Sequence, residues 1–169
     1  MIVILMGVAG SGKTTVGRLL ASELRWHFYE GDDCHPHANI DKMQRGIPLT
    51  DDDRWPWLQA LADWIGTREA ADENAVVTCS ALKRSYREVL RAGHRSVWFA
   101  HVHTSPDVLR ERVTRRAGHY MPPSLLDSQL ATLEPLEPDE PGLTITGEGR
   151  PDDVAEQVLA ALAAEHRVG

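Results

Sequence analysis

Cysteine and long apolar runs are both scarce in this sequence. Only Cys34 and Cys79 occur among 169 residues, too few for the disulfide framework of a small secreted domain. No apolar stretch reaches the length of about 18 residues that a membrane span needs, and no basic-then-apolar signal segment opens the chain. We therefore expect a cytoplasmic protein with one domain over residues 1–169 and no membrane partner.

Net positive charge is lacking as well. The chain has 18 Lys and Arg against 25 Asp and Glu, which gives a formal net charge of −7. A nucleic-acid partner is not expected, because a protein that binds nucleic acid needs a basic surface. Lysine is the scarcest charged residue, so the positions of Lys13, Lys42 and Lys83 are informative.

Apolar periodicity predicts alternating strands and helices. This alternation favours a three-layer α/β sandwich with a central, mostly parallel, five-stranded sheet. The segment 34–54 shows no clear strand, and the Pro- and Glu-rich segment 134–141 is predicted to be a loop. The predicted strands are 1–7, 26–30, 75–79, 97–102 and 143–146, and the helices start near 13, 55, 82, 106 and 151.

A glycine-rich turn follows the first strand and matches the phosphate-binding loop, Gly-x-x-x-x-Gly-Lys-Thr, in full. In that pattern backbone N–H groups converge on phosphate oxygens, Lys13 bridges the β- and γ-phosphates, and the Thr14 hydroxyl binds Mg²⁺. The N-terminus of the following helix adds positive potential. The candidate nucleotide-binding residues are Gly7, Ala9, Gly10, Ser11, Gly12, Lys13, Thr14 and Thr15.

Two further absences narrow the class of nucleotide enzyme. The third strand ends in Thr78-Cys79-Ser80, without the acidic residue that hydrolytic NTPases use to hold Mg²⁺. No Asn-Lys-x-Asp segment, which reads guanine, is present either. With fewer than 170 residues and no accessory domain, the chain fits a kinase of small metabolites.

Asp32 follows the second strand and is the candidate catalytic base for an attacking hydroxyl. Asp33 should point elsewhere if the backbone is extended here. The alternative for this acidic pair is a solvated turn or a helix cap. Farther along, Asp51-Asp52-Asp53 precede a helix predicted from about Trp55, and these residues either cap it, orient Arg54 or bind Mg²⁺ indirectly.

Several longer segments resemble the gluconate kinases, a group of small phosphate-loop kinases related to shikimate kinase. The resemblance covers most of the chain, and Glu30 departs from it where the family commonly has Asp. Lys42 and Lys83 lie within these motifs. The segments are Gly7–Thr14, Glu30-Gly-Asp-Asp-Cys-His-Pro36, Asn39–Met43, Gly46–Leu58, Cys79-Ser-Ala-Leu-Lys-Arg-Ser-Tyr-Arg87 and Arg112-x-x-Arg-Arg-x-Gly-His-Tyr120.

The resemblance implies Mg²⁺- and ATP-dependent phosphorylation of D-gluconate at its 6-hydroxyl. It also implies a phosphate-loop kinase fold, a substrate-binding insertion at about 34–60 and a mobile lid at about 112–125. Members of the family are often dimers, which leaves a homodimer open. The alternatives are a kinase for another small polyol acid such as shikimate, and a nucleotide-binding regulator that transfers no phosphate.

The gluconate carboxylate needs a fixed cation in its pocket. Arg54, Lys83 and Arg87 are the candidates, with His35 and the lid residue His119 as further substrate contacts. The alternative for Arg54 is a salt bridge to the nearby aspartates. For Lys83 and Arg87, four residues apart on a predicted helix, the alternative is a solvated face.

Arginines cluster in the segment that looks like the lid. Arg112 and Arg116 are the candidates to bind ATP and neutralise charge on the transferred phosphoryl group, with Arg115 beside them. The alternative is a basic helix end that stabilises its own dipole. A zinc site at Cys34-His35-Pro36-His37 or His101-x-His103 is not favoured, because neither cluster has the ligand spacing of a structural zinc site.

Overall fold

The computed structural model describes residues 1–115 and 122–168. Five strands alternate with helices along the chain, as predicted. The strands are β1 Ile2–Met6, β2 His27–Glu30, β3 Ala75–Thr78, β4 Val97–His103 and β5 Gly142–Thr146. The helices are α1 Lys13–Leu24, α2 His37–Gln44, α3 Asp51–Ala70, α4 Arg84–Arg91, α5 Pro106–Arg115, α6 Pro123–Thr132 and α7 Pro151–Val168.

The five strands form one sheet in the order β2-β3-β1-β4-β5, and every neighbouring pair is parallel. The central strand β1 is buried along its whole length, and Ile4 lies opposite Val77 on one side and Phe99 on the other. A continuous apolar run is what a strand with helices on both faces requires. The predicted three-layer sandwich is confirmed.

Alternation along β1 divides the core into two layers. Ile4 faces a cluster that includes Trp57 and Leu61 of α3 and Leu126 of α6. Leu5 faces the opposite cluster, which α1 and α7 complete. All carboxyl ends of the parallel strands therefore meet at one edge, where the segments after β1, β2 and β3 come together. Among the described residues, no helix has the length and apolar character needed to cross a membrane.

Two helices were not predicted, and one begins earlier than expected. Helix α2 is short and buries only Asn39 and Met43, so it carries little apolar periodicity. Helix α6 starts after Pro122, and only its first three residues lie within the predicted lid, 112–125. Helix α3 begins at Asp51, four residues before the predicted start, and it continues through Pro56.

A capping box explains the early start of α3. The Thr50 hydroxyl accepts a hydrogen bond from the Asp53 backbone N–H at 3.2 Å, and the Asp53 carboxylate accepts from the Thr50 N–H at 2.8 Å. Lys42 donates to the same carboxylate at 2.7 Å and lowers its pKa to about 2. The N-cap is thus Thr50, and the acidic triplet forms the first turn of the helix, where Asp53 completes the capping box. Helix α3 brings Arg54 and Trp57 to the carboxyl edge of the sheet.

Candidate active site

The phosphate-binding loop connects β1 to α1. Gly10 and Gly12 have φ angles of +82° and +97°, which side chains rarely allow, so these glycines permit the tight turn. The Lys13 ammonium donates to the Val8 carbonyl at 2.9 Å and therefore lies over the loop. The Ala9 N–H donates to the side-chain oxygen of Gln129 at 2.7 Å, which ties the loop to α6.

Glu30, at the end of β2, holds the Thr14 hydroxyl. Its carboxylate accepts from Thr14 Oγ1 at 2.8 Å and also from Thr78 Oγ1. β3 supplies no acidic residue at its end, so the neighbouring strand provides a carboxylate beside Thr14 instead. In the described part of the chain no three His, Cys, Asp or Glu side chains gather as a metal site. A hydroxyl and one carboxylate nevertheless suit Mg²⁺, which takes its other oxygens from phosphates and water.

Asp32 lies in a 3₁₀ turn, Gly31–Cys34, that follows β2 directly. Its carboxylate lines a cleft together with Lys13, and its side chain is 53% exposed. Asp33 is not among the described residues that line this cleft, and its charge acts on Tyr29 instead. The two carboxylates diverge as predicted, but because of the 3₁₀ turn and not because the backbone is extended.

The 3₁₀ turn is fixed by its first residue. A Cβ at Gly31 would lie 2.0 Å from the Thr78 carbonyl oxygen, so only glycine fits against β3. The Trp57 indole N–H donates to the Gly31 carbonyl at 2.7 Å. Helix α3 and strand β3 thus hold the backbone that carries Asp32.

His35 is a neutral hydrogen-bond donor in the wall of the same cleft. Its ring stacks on Trp57 with centroids 4.0 Å apart, and burial, assisted by the charge of Arg54, lowers its pKa to about 4. The Asn39 amide N donates to the Asp53 carbonyl at 2.8 Å and lies 3.2 Å from His35 Nδ1. Because that amide nitrogen is a donor, Nδ1 accepts and Nε2 carries the proton. The donating Nε2 lies 3.9 Å from Asp32.

Arg54 lines the cleft across from the phosphate loop. Its side chain is only 11% exposed, yet its single hydrogen bond within the described residues is from Nη1 to the Tyr86 hydroxyl at 3.1 Å. The Asp51 carboxylate lies 3.9 Å from the same nitrogen. A guanidinium has five N–H donors, so most of them are left for a ligand in the cleft.

Lys83 does not line this cleft with the other described residues. Its ammonium donates to both carboxylate oxygens of Asp51 at 3.0 Å and lies 5.6 Å from the Tyr86 ring centroid. The bond to Asp51 raises the pKa of Lys83. The structure therefore places Lys83 behind Arg54, in contact with the residues that hold it.

Arg87 was predicted as a cation for the substrate, and the structure contradicts this role. Its side chain is fully buried, and it forms a two-pronged ion pair with Glu140, from Nε at 2.6 Å and from Nη2 at 2.8 Å. A guanidinium in this setting has no donor left for gluconate, so we withdraw Arg87 as a substrate-binding candidate. Its remaining N–H groups donate to the backbone carbonyls of Ala81, Leu82, Glu134 and Pro135, at 3.1 to 3.4 Å.

A second cleft opens on the other side of the phosphate loop, and Arg112 lies in it. Its guanidinium donates to the Gly147 carbonyl at 3.0 Å and to the Gly10 carbonyl at 3.4 Å, so it contacts the loop directly. Arg115 lines the same cleft and pairs with Glu111 at 2.7 Å. The predicted contacts of Arg116 and His119 fall outside the described residues, as does 116–121 of the expected lid.

Four residues of this site were missed by sequence reasoning. Glu30 and Asn39 lie inside segments that resemble the gluconate kinases, but no function was predicted for either residue. Tyr86 lies in a third such segment. Gln129 had no signal of its own, because it lies beyond the predicted lid in a stretch for which no helix was predicted, and its contact with the phosphate loop depends on α6.

Comparison with known proteins decides the family. A family profile described as an AAA domain matches residues 2–136. The gluconokinase of Gluconobacter oxydans (strain 621H) is 52% identical, over 96% of this chain and 91% of that protein. The chain belongs to the gluconokinase family. The resemblance inferred from the motifs is thereby confirmed, and the protein is a kinase.

Solved structures of this gluconokinase family and of sugar kinases share the fold. A sugar kinase from Janibacter sp. HTCC2649, solved without ligand, is 51% identical with a TM-score of 0.92, covering 96% of this chain and 94% of that one. A gluconokinase from Sinorhizobium meliloti 1021 is 45% identical with a TM-score of 0.85, covering 96% and 91%. The likeness extends over nearly the whole length of both chains.

Proposed function

We propose that this kinase transfers the γ-phosphoryl group of ATP to the 6-hydroxyl of D-gluconate. The observation that carries the proposal is the composition of one cleft. Lys13 of the phosphate loop, the carboxylate of Asp32 and the guanidinium of Arg54 all line it, and Arg54 makes one side-chain hydrogen bond within the described part of the chain. An acceptor that has a hydroxyl at one end and a carboxylate at the other matches this arrangement.

The phosphates of ATP bind at the loop, where backbone N–H groups and Lys13 receive them. Arg112 neutralises charge that develops during transfer. Thr14 and Glu30 are the residues that would hold Mg²⁺, which supplies positive charge beside the β- and γ-phosphates when bound. Arg116 stays a predicted partner of Arg112.

Asp32 accepts the proton from the 6-hydroxyl as that oxygen bonds to the γ-phosphorus. The bond from the γ-phosphorus to the bridging oxygen breaks, and its electron pair stays on ADP. Arg54 binds the carboxylate at the far end, and His35 donates from Nε2 to a hydroxyl oxygen or to Asp32. The segment 34–60 forms this part of the wall through His35, Arg54 and Trp57.

An assay of ADP release with Mg·ATP tests the proposal against gluconate, shikimate, glycerate and free sugars. Gluconate should be the preferred acceptor, and its product should reduce NADP⁺ through 6-phosphogluconate dehydrogenase, which identifies the phosphorylated position. Activity with another acceptor alone would overturn the substrate assignment. Activity with no acceptor would favour a nucleotide-binding regulator.

The role of Asp32 is tested by Asp32→Asn, which should lower kcat by about 10²- to 10⁴-fold while ATP binding stays nearly intact. Asp33→Asn is the matched control, because its carboxylate does not line the cleft with the other described residues. Normal turnover by Asp32→Asn would remove this residue from the catalytic role.

Location in the cytoplasm and a homodimer remain predictions about this kinase. Light scattering of the purified protein would measure its mass in solution. A mass of one chain would contradict the dimer, while the proposed chemistry needs only one copy of the cleft.

A further inference from the structure

The side chain of Arg54 is held by a buried phenol, with the Asp51 carboxylate 3.9 Å away. Among the described residues, the hydroxyl of Tyr86 is the one hydrogen-bond acceptor of the Arg54 guanidinium, 3.1 Å from Nη1. The Arg54 guanidinium carbon also lies 5.4 Å from the centroid of the Tyr86 ring. An arginine side chain has several rotatable bonds, so a guanidinium that must meet a small carboxylate needs such an anchor.

A second hydrogen bond of the Tyr86 hydroxyl makes its oxygen the acceptor toward Arg54. Tyr86 is fully buried, and its O–H donates to a carboxylate oxygen of Asp51. Burial and this hydrogen bond raise the pKa of Tyr86, so the phenol keeps its proton. Because the proton is committed to Asp51, the oxygen lone pairs are available to Arg54.

Asp51 is fixed in turn from the other side. The Lys83 ammonium binds both of its carboxylate oxygens at 3.0 Å. The chain of contacts thus runs from Lys83 through Asp51 and Tyr86 to Arg54, and it joins the start of α4 to the first turn of α3. The Tyr86 ring packs edge-on against Trp55, with centroids 5.4 Å apart, which fixes the phenol independently of its hydroxyl.

We propose that Tyr86 is a positioning residue that holds Arg54 toward the carboxylate of the acceptor and so determines the preference for a sugar acid. Tyr86 itself is buried and is not among the described residues that line the cleft, so it acts only through Arg54. This inference rests on the proposed function, because it needs a carboxylate-bearing acceptor.

The test is Tyr86→Phe, which removes the hydroxyl and keeps the ring against Trp55. We expect the KM for gluconate to rise about 5- to 10-fold, with kcat and the KM for ATP changed less than about twofold. Tyr29→Phe is the matched control. Its hydroxyl contacts Cys34 Sγ at 3.1 Å and its ring stacks on Trp64, so it loses a half-buried hydroxyl without touching Arg54.

A double-mutant cycle separates positioning from a merely structural role. In an Arg54→Met background, Tyr86→Phe should change the KM for gluconate by less than about twofold, because the residue through which it acts is gone. An equal KM change in both backgrounds, a parallel rise in the KM for ATP, or an unchanged KM would each overturn the positioning role. Failure of the wild-type protein to phosphorylate gluconate would overturn the proposed function and this inference together.

Discussion

Arg54 and Arg87 lie on neighbouring helices, and both were candidates for the same task. Arg87 has a buried carboxylate partner in Glu140, and backbone carbonyls accept its remaining N–H groups. Within residues 1–115 and 122–168, the Arg54 guanidinium makes one hydrogen bond, to a phenol, and has a carboxylate 3.9 Å away. The difference shows that a buried arginine is available to a ligand only where the protein leaves its donors unused.

The charges around Arg87 and around Arg54 are also balanced differently. Burial raises the pKa of Glu140, but the hydrogen bonds from Arg87 and from the Glu137 backbone outweigh it and hold this pKa below its usual value. Arg87 and Glu140 therefore neutralise each other inside the protein. Asp51 is shared between Lys83, Tyr86 and Arg54, so the charge of Arg54 is balanced only in part.

The largest expected effect is a loss of stability when the ion pair between Arg87 and Glu140 is broken. Arg87→Met leaves the buried carboxylate of Glu140 without its cation, so the free energy of unfolding should fall by about 3–5 kcal/mol in denaturant titrations. Arg84→Met is the control on the same helix. Its ion pairs to Glu88 and Asp139 are exposed, so this variant should lose much less stability than Arg87→Met. Equal losses in the two variants would contradict the structural role of Arg87.

Arg54→Met should lower activity and leave stability nearly unchanged, which is the opposite of Arg87→Met. The kcat/KM for gluconate should fall about 100-fold, or about 2.7 kcal/mol, because a charge-assisted pair with the carboxylate is lost. The free energy of unfolding should change by less than about 1 kcal/mol, since few protein contacts are removed. Arg68→Met, at the other end of α3, is the matched control and should leave kcat/KM unchanged. A loss of stability without a loss of kcat/KM would reverse the assignment.

The charge of Arg54 should also be visible in the titration of His35. The folded protein keeps His35 neutral down to about pH 4, whereas the unfolded chain takes up the proton near the usual value of 6.5. The unfolded state therefore binds more protons in this window, and the free energy of unfolding falls as the pH drops from 6.5 to 4.

Arg54→Met should raise the pKa of His35 and reduce that acid-induced loss by on the order of 1 kcal/mol. Burial continues to hold the pKa below 6.5, because desolvation is the larger cause. NMR titration of the imidazole measures the shift directly, and His35→Gln should abolish this component of the pH dependence. An unchanged pKa of His35 in Arg54→Met would contradict an electrostatic effect of Arg54 on His35.

The smallest effect is expected at Lys83. Lys83→Met removes a partner of Asp51 but no ligand of the substrate, so the KM for gluconate should rise only about two- to threefold, or about 0.5 kcal/mol. Kinetics with saturating ATP measure this change. A loss as large as that of Arg54→Met would show that Lys83 binds the carboxylate itself.

The fold and the phosphate loop could be predicted because their signals are local. The apolar run of β1, the glycine spacing and the start of α1 each lie within a short stretch of sequence. Helix α2 was missed because it buries only Asn39 and Met43, and its stability depends on contacts such as the bond from Asn39 to Asp53. Local propensity gives little warning of such tertiary support.

The choice among the cations could not be predicted for the same reason. Lys83 and Arg87 lie four residues apart at the start of one helix, and the sequence treats them alike. Their partners, Asp51 and Glu140, lie 32 residues before Lys83 and 53 residues after Arg87. The packing of α3 and of the loop before β5 against α4 decides which side-chain donors of Lys83 and Arg87 are used within the protein.

Calorimetric titration of gluconate into the wild-type protein, Arg54→Met and Arg87→Lys tests the central comparison most directly. Arg87→Lys keeps a positive charge opposite Glu140 but loses the two-pronged pair, so the protein should be less stable. The folded variant should bind gluconate with a Kd within about twofold of wild type. Arg54→Met should weaken binding by about 50-fold or more. Binding of gluconate to Arg54→Met with the wild-type Kd would contradict the account.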